Sequence, residues 1–232
     1  MNSDLKTMIE LQELWDVILS SRREIENSEA VITRHDRDLA DLKKDIASIN
    51  GSIKELKSGI KQNELDLNEM DSRIKKLDER KKIVHNEKEL HAVEKEIDVI
   101  KFDIGTLEEK IIVLMDELDG KNKTASELAQ DLQERESIFD GDRNKMTREI
   151  MRHREIIRSY EEKFKVVLES LSPMYRSKFV KMLNSKEGRA IAQIYGEVCG
   201  SCNFQIPSFL AVDAADHNRI TNCTNCGRYI YK

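Results

Sequence analysis

Counting by sevens from Leu11 gives Leu11, Ile18, Ile25, Ile32, Leu39, Ile46, Ile53, Ile60, Leu67 and Ile74, with Leu or Ile at every step. Three residues beyond each lie Leu14, Ser21, Ser28, His35, Leu42, Ile49, Leu56, Asn63, Met70 and Leu77. A seven-residue repeat held this long leaves little choice of fold. Its spacing of 3.5 residues keeps one narrow apolar stripe against a partner helix as the two wind left-handedly. Composition agrees, since charged residues make up 36% and aromatics only 5%. So few large apolar side chains cannot fill a broad core, but they can fill a seam.

A second series runs Leu90, Ile97, Ile104, Ile111, Leu118, Ala125, Leu132, Phe139, Met146, His153, Tyr160 and Val167. Its companions run from Val93 through Leu114 and Leu128 to Arg135, Asp142, Glu149, Ile156 and Lys163. Ile74 and Leu90 are sixteen residues apart, not a multiple of seven, so the phase breaks between them. That break predicts a turn near residues 84–90. A turn near Asn86 sets His35 opposite Phe139, Ser28 near Lys145 and Ser21 near Arg152. The polar defects of the two arms then meet, as antiparallel partners in one chain require. The expected fold is mainly α: an antiparallel coiled-coil hairpin over residues 1–171, then a short helix and a zinc ribbon with short β-strands over 172–232. The rod reads either as a spacer or as a docking face, with the charge-rich zone around Gly141 as the place for a partner or a bend.

Ser172-Pro173 reads as a helix N-cap and first-turn proline that ends the rod. Tyr175, Phe179, Met182 and Leu183 share one face of the helix that follows, and residues 188–198 read as a strand.

All four cysteines lie in the tail, as Cys199-x2-Cys202, twenty residues, then Cys223-x2-Cys226. This spacing suits a closed four-thiolate zinc site. Two residues between thiols let one tight turn aim both sulfurs at one ion. Gly227 after the second pair, and Asn203 in the matching place after the first, tolerate the left-handed backbone such turns need. A four-cysteine iron centre is a weaker alternative that spacing alone also allows. One structural Zn2+ is expected. A ribbon this small cannot hold itself by burial, and the ion contributes on the order of 10–16 kcal/mol to ordering it. Phe204, Ile206, Phe209, Tyr229 and Tyr231 are the expected small core, and His217 reads as a loop residue.

No nucleophile–base set, phosphate-binding glycine loop or carboxylate pair stands out, so the chain does not read as an enzyme. "MNSDLKTMIE" has no signal-peptide pattern, the longest apolar run in the rod is "IIVLM", and a cytoplasmic setting without membrane insertion is expected, where thiols stay reduced. Up to Asn144 there are 24 Lys and Arg against 35 Asp and Glu; from Lys145 on the count is 15 against 9. The basic end brings a second reading. Lys145, Arg148, Arg152, Arg154 and Arg158 could grip the phosphates of RNA or DNA, or an acidic partner, unless they only balance the acidic opposite arm.

The long helical hairpin, the turn-region string "NEKELHAVEKEI", the join "LSPMY", "GEVCGSCNFQIP" and the closing "CTNCGRYIY" together resemble the bacterial coiled-coil and zinc-ribbon proteins. The resemblance covers nearly the whole chain. It places Cys199, Cys202, Cys223 and Cys226 as the zinc ligands, with Gln205 and Pro207 matching the segment after the first pair. It implies a non-enzymatic adaptor or chaperone whose partners include the sigma-54 subunit of RNA polymerase or components of flagellar and type III secretion systems. Partner identity and oligomeric state are left open by the residues themselves.

Overall fold

The computed structural model describes residues 2–185, 187–216 and 218–232; His217 lies outside them. Two long helices, α1 (Ser3–Ile83) and α2 (Glu87–Ser170), form the antiparallel hairpin. A short helix α3 (Pro173–Ser185) follows. Then come β1 (Ile191–Tyr195), β2 (Val198–Cys199), α4 (Ser208–Ala215), β3 (Thr221–Asn222) and β4 (Tyr229–Tyr231). The chain divides into two compact units, residues 34–141 and residues 1–33 with 142–232.

In the unit of residues 34–141 the expected stripe is the buried one. Ile53, Ile60, Asn63, Leu77, Val93, Ile97, Ile100 and Ile111 are all at most 9% exposed. The turn is three residues, 84–86. Asn86 makes it abrupt, because its side-chain Oδ1 accepts the Lys88 N–H at 3.0 Å and caps α2. His35 stacks on Phe139 with ring centroids 4.7 Å apart, as a turn at Asn86 demands. Lys43–Glu136 and Lys81–Glu94 bridge the arms at 2.7 and 2.8 Å, and Arg73 pairs with Glu96. Such exposed pairs add little stability each, but they favour one register.

From Arg135 on, and through the unit of residues 1–33 with 142–232, one row of the seam departs from expectation. Arg135, Asp142, Glu149 and Lys163 are exposed, while Ile150 and Phe164 are 7% exposed and Ile157 is half-buried. Beyond Leu132 this companion row has slipped by one residue, while Phe139, Met146, His153, Tyr160 and Val167 of the first row stay buried or half-buried. A straight helix drifts about 20° per heptad from a strict 3.5-residue repeat. Once the drift accumulates, the apolar residue one place along faces the partner better. Arg135, Asp142 and Glu149 therefore sit outside the seam, while His153 stays half-buried in it. Arg22–Glu161 at 2.8 Å and Glu29–Arg154 at 3.0 Å span the two arms in this unit.

α2 ends at Ser170, ahead of Pro173 as the proline requires. The Ser172 carbonyl accepts the first α3 bonds from Tyr175 and Arg176. Its hydroxyl does not turn inward to the helix; it donates to Asp4 Oδ2 at 2.8 Å while the Ser172 N–H donates to Oδ1 at 2.8 Å. Leu5, Met8 and Leu11 of α1, Phe164 and Leu171 near the end of α2, Phe179, Met182 and Leu183 of α3, and Ile191 and Tyr229 of the sheet form one core.

Candidate metal centre

The sheet order is β2-β1-β4-β3, with β1 and β4 parallel and the outer pairs antiparallel. Side chains alternate across a strand, and this sorts the sheet into two faces. Tyr229 and Ile191 join the core shared with the helices, while Ile230, Ala192 and Ile194 pack with the cysteines. Ile206, Ala214, Leu210 and Ala211 complete the layer under the sulfurs. Two of the five expected ribbon-core residues are thus corrected. Ile206 and Tyr229 are buried, but Phe204 is 45% and Phe209 67% exposed. Strand and helix geometry give the inward places to smaller residues. Helix α4, between the two cysteine pairs, was not foreseen; the only hint is Pro207 ahead of the apolar stretch "FLAV".

The two cysteine turns are built alike. Cys199 N–H donates to the Phe204 carbonyl at 3.0 Å, and Cys223 N–H to the Arg228 carbonyl at 2.9 Å. Each turn closes with a 2.9 Å bond, from Asn203 N–H to the Cys199 carbonyl and from Gly227 N–H to the Cys223 carbonyl. Asn203 and Gly227 adopt φ of 57° and 73°, the left-handed backbone expected at these two positions. The N–H groups of Ser201 and Cys202 point at the Cys199 sulfur, and those of Asn225 and Cys226 at the Cys223 sulfur.

The four sulfurs lie within 4.8 Å of one another. Cys199 and Cys226 are 4.0 Å apart and Cys202 and Cys223 3.7 Å, and all four thiols are free. A tetrahedron with Zn–S bonds of about 2.3 Å has edges of about 3.8 Å, so the donor set fits such an ion. Without metal the thiols are unequal. Burial pushes Cys199 up to about 12, against the pull of the Cys202 and Ser201 amides, and burial raises Cys223 too. At Cys202 burial also acts upward, but the Phe204 amide, the Asn225 side chain and the neighbouring thiols outweigh it and bring it down to about 6. A divalent cation would offset the cost of holding buried thiolates together. With four sulfur donors the tetrahedron closes and keeps no position for water or substrate.

Two further anchors, not anticipated from the sequence, hold the ribbon. Gln12, only 7% exposed, donates to the Gly188 carbonyl at 2.8 Å and accepts from Ala190 N–H at 2.8 Å. Gly188 has φ of 77°, and a Cβ there would stand 2.0 Å from Leu19 Cδ1, so both backbone and space call for glycine.

The five basic residues weighed as a phosphate grip are not brought together. All are exposed. Lys145, Arg148 and Arg152 follow one line along α2, and Arg154 and Arg158 another, more than about 100° around the helix. Lys145 pairs with Asp142 at 3.2 Å, Arg152 with Glu149 at 3.8 Å, Arg158 with Glu162 at 3.6 Å and Arg154 with Glu29. Among the described residues, no helix is long and apolar enough to cross a membrane.

Fold and site together define a coiled-coil hairpin protein bearing a four-cysteine ribbon. Residues 17–175 match the family model of the CT398-like coiled coil hairpin domain. This is well over half of the chain, and the chain belongs to that family. Its fold is similar to that of CT398 from Chlamydia trachomatis, at 21% identity over 98% of this chain and 97% of that one, with a TM-score of 0.90. It is also similar to the HP0958 protein from Helicobacter pylori, at 20% identity over 100% and 98% of the chains and a TM-score of 0.67. A Mycobacterium smegmatis structure aligns over the full length of both chains at 14% identity and a TM-score of 0.61. No curated protein matches the chain.

Proposed function

We propose that the protein is a non-enzymatic adaptor that holds protein partners on its hairpin and ribbon, the ribbon being clamped by one structural zinc on Cys199, Cys202, Cys223 and Cys226. The observation that carries this reading is that the four sulfurs close on each other, while Phe209 and Val212 stand 67% and 69% exposed on α4. A closed metal site orders a fold without offering a reaction centre, and large exposed apolar side chains on a small domain mark a contact surface. The resemblance to bacterial coiled-coil and zinc-ribbon proteins supplies the partners: the sigma-54 subunit of RNA polymerase or components of a flagellar or type III export apparatus, in the cytoplasm.

The test is capture of those purified components by the intact metal-loaded protein. Retention of at least one, reduced by Phe209→Ser with Val212→Ser, supports the adaptor reading. Retention of none overturns these partners. Equal retention by the variant overturns the role of α4.

A further inference from the structure

The outer face of α2, turned away from the seam, should be charged throughout in a hairpin that acts alone. It is not. At about 100° per residue, Val99, Phe102 and Val113 lie on one line opposite Ile97, Ile100 and Ile111, the seam residues of the same helix. They are 60%, 76% and 65% exposed. Asp98, Glu109, Asp116 and Glu117 border that line, four carboxylates against two cations, Lys95 and Lys110. A phenyl ring so far into solvent, edged with carboxylates, is a surface without a cover among the described residues.

A second surface has the opposite character. Along α3 a groove of about 680 Å³ is lined by Leu168, Pro173 and Val180, with Arg176 and Lys181 on its walls. α3 contains no acidic residue at all. Arg176 is held in place, since its Nη2 donates to the last carbonyls of α2, those of Glu169 and Leu171, at 2.9 and 3.0 Å. Met174, beside the groove on α3, is 74% exposed. One surface is apolar with an acidic border, the other apolar with a basic border, and both are open.

We infer that the protein associates with a second copy of itself, the acidic apolar line of α2 in one copy lying in the basic groove of α3 in the other. The carboxylates bordering Phe102 meet Arg176 and Lys181, and Phe102 leaves water against Leu168 and Val180. Charge fixes orientation and speeds encounter, while burial of the ring supplies most of the affinity.

Sedimentation velocity across a concentration series tests this with the metal-loaded full-length protein. Self-association is expected, weakening as salt screens the border charges. Lys181→Glu weakens it roughly tenfold, and Phe102→Ser roughly a hundredfold, the loss expected for one buried phenyl ring. Both residues are solvent-exposed, so thermal melts of the variants match the parent. A mixture of Lys181→Glu with Glu109→Lys/Asp116→Lys recovers association that neither shows alone, because in the mixed pair each groove meets a line of opposite charge. A protein that stays monomeric up to its solubility limit overturns the proposal. So does an oligomer untouched by Phe102→Ser and Lys181→Glu, or a mixture that fails to recover.

Discussion

Replacing Gln12 by leucine should loosen the ribbon from the hairpin end without touching a sulfur. In the native protein one amide side chain satisfies two buried backbone groups, the Gly188 carbonyl and the Ala190 N–H. Ala190 is fully buried, so water cannot replace the lost acceptor. Each buried group left unpaired costs about 1–3 kcal/mol, and the leucine regains about 1 kcal/mol by burial. The expected net loss is about 3 kcal/mol. Trp15 is the only tryptophan; it packs on Phe164 with centroids 5.3 Å apart and lies against Gly188. Its fluorescence in a urea titration therefore reports this junction directly. Gln12→Glu gives a second arm: its carboxylate faces the Gly188 carbonyl and Asp16, so it destabilises at neutral pH and recovers in acid. A loss below about 0.5 kcal/mol for Gln12→Leu would refute the view that this side chain ties ribbon to hairpin, since it would mean the two backbone groups find other partners.

Three more outcomes follow from the same structure. Cys199→Ser or Cys223→Ser should abolish stoichiometric metal and unfold the ribbon, seen as loss of amide protection in residues 191–231, with the hairpin's helicity retained; unchanged protection would mean the sulfurs do not hold the fold. Tyr229 is raised above its ordinary value of 10 by burial and by Tyr175, so the folded state favours the neutral phenol. That contribution is complete below pH 10 and is lost as pH rises through the folded value, and Tyr229→Phe should lose less stability than the parent between pH 10 and 12; identical alkaline profiles would contradict it. Asp4→Ala removes both bonds to Ser172, and thermal melting should show a loss of about 1–2 kcal/mol, with Asp4→Asn intermediate.

The hairpin was legible because a heptad writes itself in one residue type at one spacing. It stayed legible in the row that runs through Phe139 to Val167, and failed beyond Leu132 in the companion row, where cumulative helical drift rather than residue type decides which side faces in. The cysteine turns were legible down to the backbone of Asn203 and Gly227, because two local constraints, sulfur spacing and left-handed φ, fall within a few residues of each other. The ribbon's interior was not. Phe204 and Phe209 look like core by size, yet strand alternation and the direction of α4 give the inner places to Ala192, Ile194, Ala214 and Ile230. Gln12 and Asp4 were invisible for a different reason: their partners are more than 160 residues away in sequence, and a polar residue at the start of a rod carries no mark of such a contact.

The ribbon's fold rests on four sulfurs closing around one structural ion. X-ray absorption at the zinc edge, on protein purified without added metal and with the metal counted per chain, tests it most directly. One zinc per chain is expected, with four sulfur neighbours at about 2.3 Å and no lighter ligand. Three sulfurs with an oxygen or nitrogen, or a chain that carries no metal while its ribbon stays folded, would contradict it.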